Sequence, residues 1–244
     1  MRNNTMINAK RMVTAILVIL TLIAASPAAA EPIGKRILLE NGMVLLLSEK
    51  HEIPMVTINM AITAGSTAVP TDKPGLASIT ASLLMQGTKK RTANQIHQEV
   101  DFIGGSLSTT GGEDFASANL RVLKKDIRIG LDLLSDVLLN PAFDQKEIDR
   151  KVKETLAEIQ RQKQEPGIVA GQAFAKAVFG SHPYGRTNED VAAYYLKLTR
   201  QDIVDFYSSR YSPGNTIIAV VGDVTENEII VLLNDYFKAW QMVV

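Results

Sequence analysis

Side chains able to do chemistry are few in this sequence. It has three histidines, His51, His97 and His182, and no cysteine among 244 residues. Disulfides, thiolate zinc sites and cysteine nucleophiles are therefore excluded. Two histidines one helical turn apart could share a metal ion, but none of the three pairs with another at that spacing. Ser78 and Ser82 do stand four apart, in GLASITASLLMQGT at residues 75–88, without a G-x-S-x-G elbow and with no histidine or lysine placed nearby to act as base. Small residues filling space is the reading those serines support. The stretch GGSLSTTGGED is glycine-rich, but no lysine follows it, so it is not a phosphate loop. Glu158 lies on the flank of an apolar stripe in a highly charged helix, and Lys151 does the same.

The elements that must position these groups follow from periodicity. RILLENGMVLLLSE reads as two strands turning at Asn41-Gly42, and MVTINMAITAG as a strand with one covered face. A helix is expected to open after Pro74 and close before Gly87. Another over 92–105 carries Ile96, Val100 and Ile103 and stops at Gly104-Gly105. Residues 106–123 alternate and are polar, which suggests a strand pair with an exposed edge. Helices are expected over 126–140, 144–166, with a stripe of Ile148, Val152, Leu156 and Ile159, and 167–180. SHPYGRT is a loop, a helix covers 199–210, and a buried strand ends at Gly222-Asp223. The last helix opens at Thr225, with Glu228 completing a capping box.

Residues 1–30 read as a secretory signal. Lys10 and Arg11 precede the apolar run MVTAILVILTLIAA, and Ala28-Ala29-Ala30 offers a cleavage site. That run is short for roughly 30 Å of hydrocarbon. The expectation is export to a bacterial periplasm, with no membrane association after signal removal. Without Arg2, Lys10 and Arg11 the chain holds 23 basic and 26 acidic residues, a balance that offers nothing to nucleic acid. Residues 31–244 are expected to form one domain, since no low-complexity linker interrupts them.

The order of these pieces resembles the N-terminal half of a pitrilysin/insulinase-type zinc peptidase, an inverzincin family that includes mitochondrial processing peptidase. LENGMVLLLSE, GLA at 75–77, QGT at 86–88, IGG at 103–105, AEI at 157–159, HPYG at 182–185, RYSPGN at 210–215, VVGDV at 220–224 and Phe237 with Trp240 carry the resemblance. It implies an α+β fold: an antiparallel-rich mixed sheet packed on helices, built from two similar subhalves. It also implies an inverted zinc motif, H-x-x-E-H, after GLA. Here the two histidine places hold Ser78 and Ser82, and the place of the proton-accepting glutamate holds Ala81. The third ligand's place falls at Glu158, the sole survivor, while a further family glutamate is Lys151. No zinc or other cofactor is expected, because a lone carboxylate does not retain zinc.

In that family an exposed edge strand binds extended peptide by strand addition, and Ser106, Leu107, Ser108 and Thr109 are the corresponding candidates. The relatives continue into a second half, which this sequence is expected to lack. The leading expectation is a catalytically silent subunit that binds or encloses extended peptide beside an active zinc-bearing partner. The alternatives are a zinc-dependent endopeptidase with atypical ligands and a stand-alone periplasmic peptide-binding module.

Overall fold

In the computed structural model of this chain, residues 34–241 are described, so the expected signal segment lies outside them. Strands β1 (Lys35–Leu38) and β2 (Val44–Glu49) pair antiparallel around the Asn41-Gly42 turn. Gly42 takes φ 92° there, a conformation glycine adopts without a Cβ penalty. β3 (Met55–Ile62) follows, then α1 (Leu76–Leu83), prolonged by a 3-10 turn over Leu84–Gln86. α2 (Ala93–Phe102) starts at Thr92, whose hydroxyl and Gln95 form a reciprocal capping box. The hairpin β4 (Ser106–Gly111) and β5 (Ala116–Leu123) comes next.

Helices α3 (Ile127–Leu139), α4 (Gln145–Gln162) and α5 (Pro166–Phe179) succeed one another. After a 3-10 turn at Pro183–Gly185 come α6 (Asn188–Tyr195) and α7 (Arg200–Arg210). Strand β6 (Thr216–Gly222) and helix α8 (Glu226–Phe237) close the described chain.

The fold is α+β. Among the described residues six strands run in the order β1-β2-β6-β3-β5-β4, with β2–β6 the one parallel pair. One face of the sheet supplies Leu45, Leu47, Ile58, Met60, Leu120, Ile218 and Val220 to the core, all 2% exposed or less. The helices cover that face. The opposite face leaves Leu46, Ile217 and Val221 exposed, as an antiparallel-rich sheet permits. In α4 the expected stripe turns inward: Ile148 and Ile159 are buried, and Val152 and Leu156 pack against the core.

Two local readings need correction. α6 lies where no helix is expected from the sequence. It is only eight residues long and lacks a clear apolar stripe, but Thr187 and Asp190 give it a full capping box. At α8, Thr225 accepts from the Glu228 N–H, while the Glu228 carboxylate lies 3.9 Å from Lys124. An available cation draws it off the cap, so the box is half formed.

Candidate functional site

α1 is held at its start by close packing. Gly75 caps it at φ 83°, and a Cβ there would lie 2.7 Å from Val191 and 2.9 Å from Tyr195. Only a residue without a side chain fits between α1 and α6. The Tyr195 hydroxyl donates to the Gly75 carbonyl at 3.0 Å, which fixes the approach. Along α1, Leu76, Ala77, Ile79, Thr80, Ala81 and Leu83 are buried, leaving Ser78 exposed and Ser82 half-buried one turn later.

The edge strand β4 lies directly on this helix. At Gly111 an added Cβ would stand 2.6 Å from the Ser78 Cα and 2.8 Å from the Ala77 carbonyl oxygen. Two residues earlier the Thr109 hydroxyl donates to the Ala81 carbonyl at 2.7 Å. The end of the strand therefore packs closely on Ala77 and Ser78, and a side-chain hydroxyl ties it to Ala81. Among the described residues β4 is the last strand in the sheet order, with β5 as its one sheet neighbour. Ser106 and Ser108 are exposed and Leu107 is 9% exposed, so Leu107 anchors the strand in the core and offers a ligand only its backbone.

Glu158 projects from α4, which packs against α1. Its carboxylate is bound by Arg161 and by the Gln162 amide at 3.1 Å. Lys151 is half-buried, its ammonium 3.9 Å from Glu154. The Ser82 hydroxyl donates to the Ile79 carbonyl at 2.8 Å, within its own helix. These groups do not fit a zinc ion. Two hydroxyls, a methyl and one carboxylate already engaged by a guanidinium lack the imidazole or thiolate donors that hold zinc. Among the described residues, no group of three or more His, Cys, Asp or Glu side chains could hold a metal.

The three histidines are not brought together by the fold. His51, after β2, hydrogen-bonds Asp223 at 2.7 Å, and that bond raises its pKa while lowering that of Asp223. His97 is exposed on α2. His182 accepts from the Tyr184 N–H at 3.2 Å and caps the 3-10 turn.

Two contacts were not legible in the sequence. The Tyr184 hydroxyl reaches both carboxylate oxygens of Asp114 at 2.8 Å, tying the HPYG loop to the turn between β4 and β5. That bond pushes the Tyr184 pKa above its ordinary value. Arg186 donates to the carbonyls of Ser66, Val69 and Pro70 at 2.7–3.0 Å, and burial lowers its pKa. Both partners lie 70 or more residues away in sequence, and no local pattern announces them.

Comparison with known proteins agrees with this geometry. The profile described as Insulinase (Peptidase family M16) matches residues 44–202, and that of the Peptidase M16 inactive domain matches residues 197–243. An uncharacterized zinc protease of Mycobacterium leprae is 30% identical over 208 residues, covering 83% of this chain and 45% of its own length. A probable mitochondrial-processing peptidase subunit beta of Arabidopsis thaliana is 26% identical, covering 79% of this chain and 36% of that one. The solved peptidase M16 inactive domain from Pseudomonas fluorescens superimposes with a TM-score of 0.80 at 25% identity, over 86% of this chain and 52% of that one. The chain spans about half the length of most curated relatives it matches. With residues 44–202 matched to the family and no H-x-x-E-H in its sequence, this chain belongs to the insulinase family of peptidases, M16.

Proposed function

We propose that this chain is an exported, catalytically silent member of its peptidase family, which binds extended peptide on the β4 edge and works beside a zinc-bearing relative. One observation carries the reading. Residues unable to hold zinc or accept a proton occupy Ser78, Ala81 and Ser82, yet the open edge strand is still seated on that helix through Gly111 and Thr109. Strand addition uses backbone N–H and C=O groups alone, so it survives the loss of the metal donors. Glu158, the remaining ligand position, serves its own helix through Arg161 and Gln162. The name of the Arabidopsis relative, a subunit, supports a two-chain arrangement. Export rests on the N-terminal sequence. Among the described residues no helix is long and apolar enough to cross a membrane.

The test is zinc content together with peptide binding. The purified chain, incubated with zinc at neutral pH and desalted, is expected to retain far less than one ion per molecule. It is expected to bind an unstructured Thr/Ser dodecamer without cleaving it, and to bind much more weakly a twin carrying N-methyl groups at alternate amides. Stoichiometric zinc would overturn the silent reading, and equal binding of the two peptides would overturn the edge-strand reading.

A further inference from the structure

The turn that ends the edge strand is gripped from outside. Residues 112–115 join β4 to β5 and are all exposed, and two glycines, Gly111 and Gly112, open the turn. Glycine leaves the backbone wide conformational freedom, so the position of the strand end depends on what holds that turn.

Two loops hold it. In the first, the Ser66 N–H donates to the Gly112 carbonyl at 3.0 Å and the Thr67 N–H to the Glu113 carbonyl at 2.9 Å. This loop lies so near that a Cβ on Gly65 would stand 2.4 Å from the Glu113 carbonyl oxygen. The second is the HPYG loop, whose Tyr184 hydroxyl reaches both Asp114 oxygens at 2.8 Å. Two residues on, Arg186 braces the first loop from behind. It donates to the Ser66 carbonyl at 2.7 Å and to those of Val69 and Pro70 at 3.0 Å. Turn and loops thus close a ring of contacts through Tyr184–Asp114, Arg186–Ser66 and Ser66–Gly112.

The ring stands beside the groups a peptide would use. The Gly112 N–H donates to the Phe115 carbonyl at 2.9 Å, and Gly111 stands opposite Ala116 in the ladder. In an antiparallel pair, backbone groups of successive residues point alternately toward the partner strand and away from it. The N–H and C=O groups of Leu107, Thr109 and Gly111 therefore face the open edge. Gly111, the last of the three, adjoins the gripped turn. A pairing surface already held extended need not be ordered by its ligand, and ordering one more residue costs about tenfold in affinity.

Building on the edge-strand reading above, we infer that Tyr184 and Arg186 are positioning residues for strand addition: they hold the turn after β4 so that Leu107, Thr109 and Gly111 are presented ready to pair. Both act through the strand. Tyr184 grips the turn directly, and Arg186 grips the loop that carries Ser66 and Thr67.

Fluorescence anisotropy with a fluorescein-labelled Thr/Ser dodecamer and its alternately N-methylated twin tests this on the purified chain and four variants. Tyr184→Phe removes only the hydroxyl, and Asp114→Ala only its acceptor. Each is expected to weaken binding of the plain peptide about tenfold, and Tyr184→Phe/Asp114→Ala to weaken it no further. Asp114→Asn keeps an oxygen that can accept from the phenol, and is expected to bind within about twofold of the parent chain. That rescue separates a held turn from a general loss of structure, as does the absence of a further loss in the double variant. Parent-like affinity in Tyr184→Phe, equal losses in Asp114→Asn and Asp114→Ala, or additive losses in the double variant would each overturn the positioning role. With the parent chain still preferring the plain peptide to its twin, those results leave the edge-strand reading standing. A parent chain that binds neither peptide, or both equally, overturns both readings.

Discussion

Gly111→Ala tests the junction between the edge strand and the degenerate motif. The new methyl would lie 2.6 Å from the Ser78 Cα, 2.8 Å from the Ala77 oxygen and 2.9 Å from the Ser78 nitrogen. All three are backbone atoms of a packed helix, so rotamer changes give no relief. Carbon contacts relax at roughly 3.5 Å, so the end of β4 must retreat by roughly 0.9 Å. That movement would stretch the 2.7 Å bond from Thr109 to the Ala81 carbonyl beyond hydrogen-bonding range. Overpacking costs about 1–3 kcal/mol, and the lost bond adds about 1 kcal/mol. At about 2–4 °C per kcal/mol for a domain of this size, Tm should fall by about 4–16 °C. Gly171→Ala is the contrast: an added Cβ there meets nothing within 4 Å, and helix propensity predicts a gain of about 0.5–1 kcal/mol. Calorimetry gives both Tm values, and hydrogen exchange over residues 76–83 reports on α1. An unchanged Tm and unchanged protection in Gly111→Ala would refute the packing argument.

Further outcomes follow from the same geometry. Arg91 bonds Glu99 at 3.0 and 3.1 Å, Asp132 at 2.5 Å and Asp136 at 3.0 Å, and the Asp136 side chain is only 1% exposed. Arg91→Met leaves that buried carboxylate without its cation, held only by the Thr88 hydroxyl at 2.7 Å and the Asn140 amide at 3.0 Å, and should cost about 3 kcal/mol in urea unfolding; a loss under about 1 kcal/mol would contradict the ion network. Ser78→His/Ser82→His places two imidazoles one turn apart beside α4. That variant is expected to acquire zinc, measured by elemental analysis, and to lose it again with Glu158→Gln; an unaltered zinc content in the triple variant would show that Glu158 is no ligand position. The hydrogen bond to Asp223 holds the His51 pKa above its ordinary value. Its contribution to stability is therefore complete below about pH 6.5 and lost as pH rises through the folded value. Asp223→Asn should return the His51 titration, followed by NMR, toward its ordinary position, and a titration that does not move would rule out that bond as the cause.

Much of the frame was legible in the chain because its signals are local. Asn41-Gly42 marks a tight turn between apolar runs, Ile96 and Val100 recur at helical spacing in α2, and the stripe from Ile148 to Ile159 declares which side of α4 is buried. Local signals also misled. The side chain of Glu228 could have closed a cap but turned toward Lys124, a cation contributed from the turn after β5. Eight residues without a stripe did not announce α6, and Thr187, read as part of the SHPYGRT loop, proved to be its cap. The three acids around Arg91 are scattered along α2 and α3, and nothing in either segment alone pairs them.

The sequence by itself determined the coordination chemistry. Which donors stand at residues 78, 81 and 82 is a matter of residue type, and no packing turns a hydroxyl or a methyl into an imidazole or a carboxylate. Only the tertiary structure decided that the end of β4 rests on that same helix, and that α5 stands uncovered. Both depend on backbone approach and on contacts between distant segments. Gly111 against Ser78 is one such contact, and the bareness of α5 is the lack of one among the described residues. Residue type governs what a group can bind; the fold governs what it can reach.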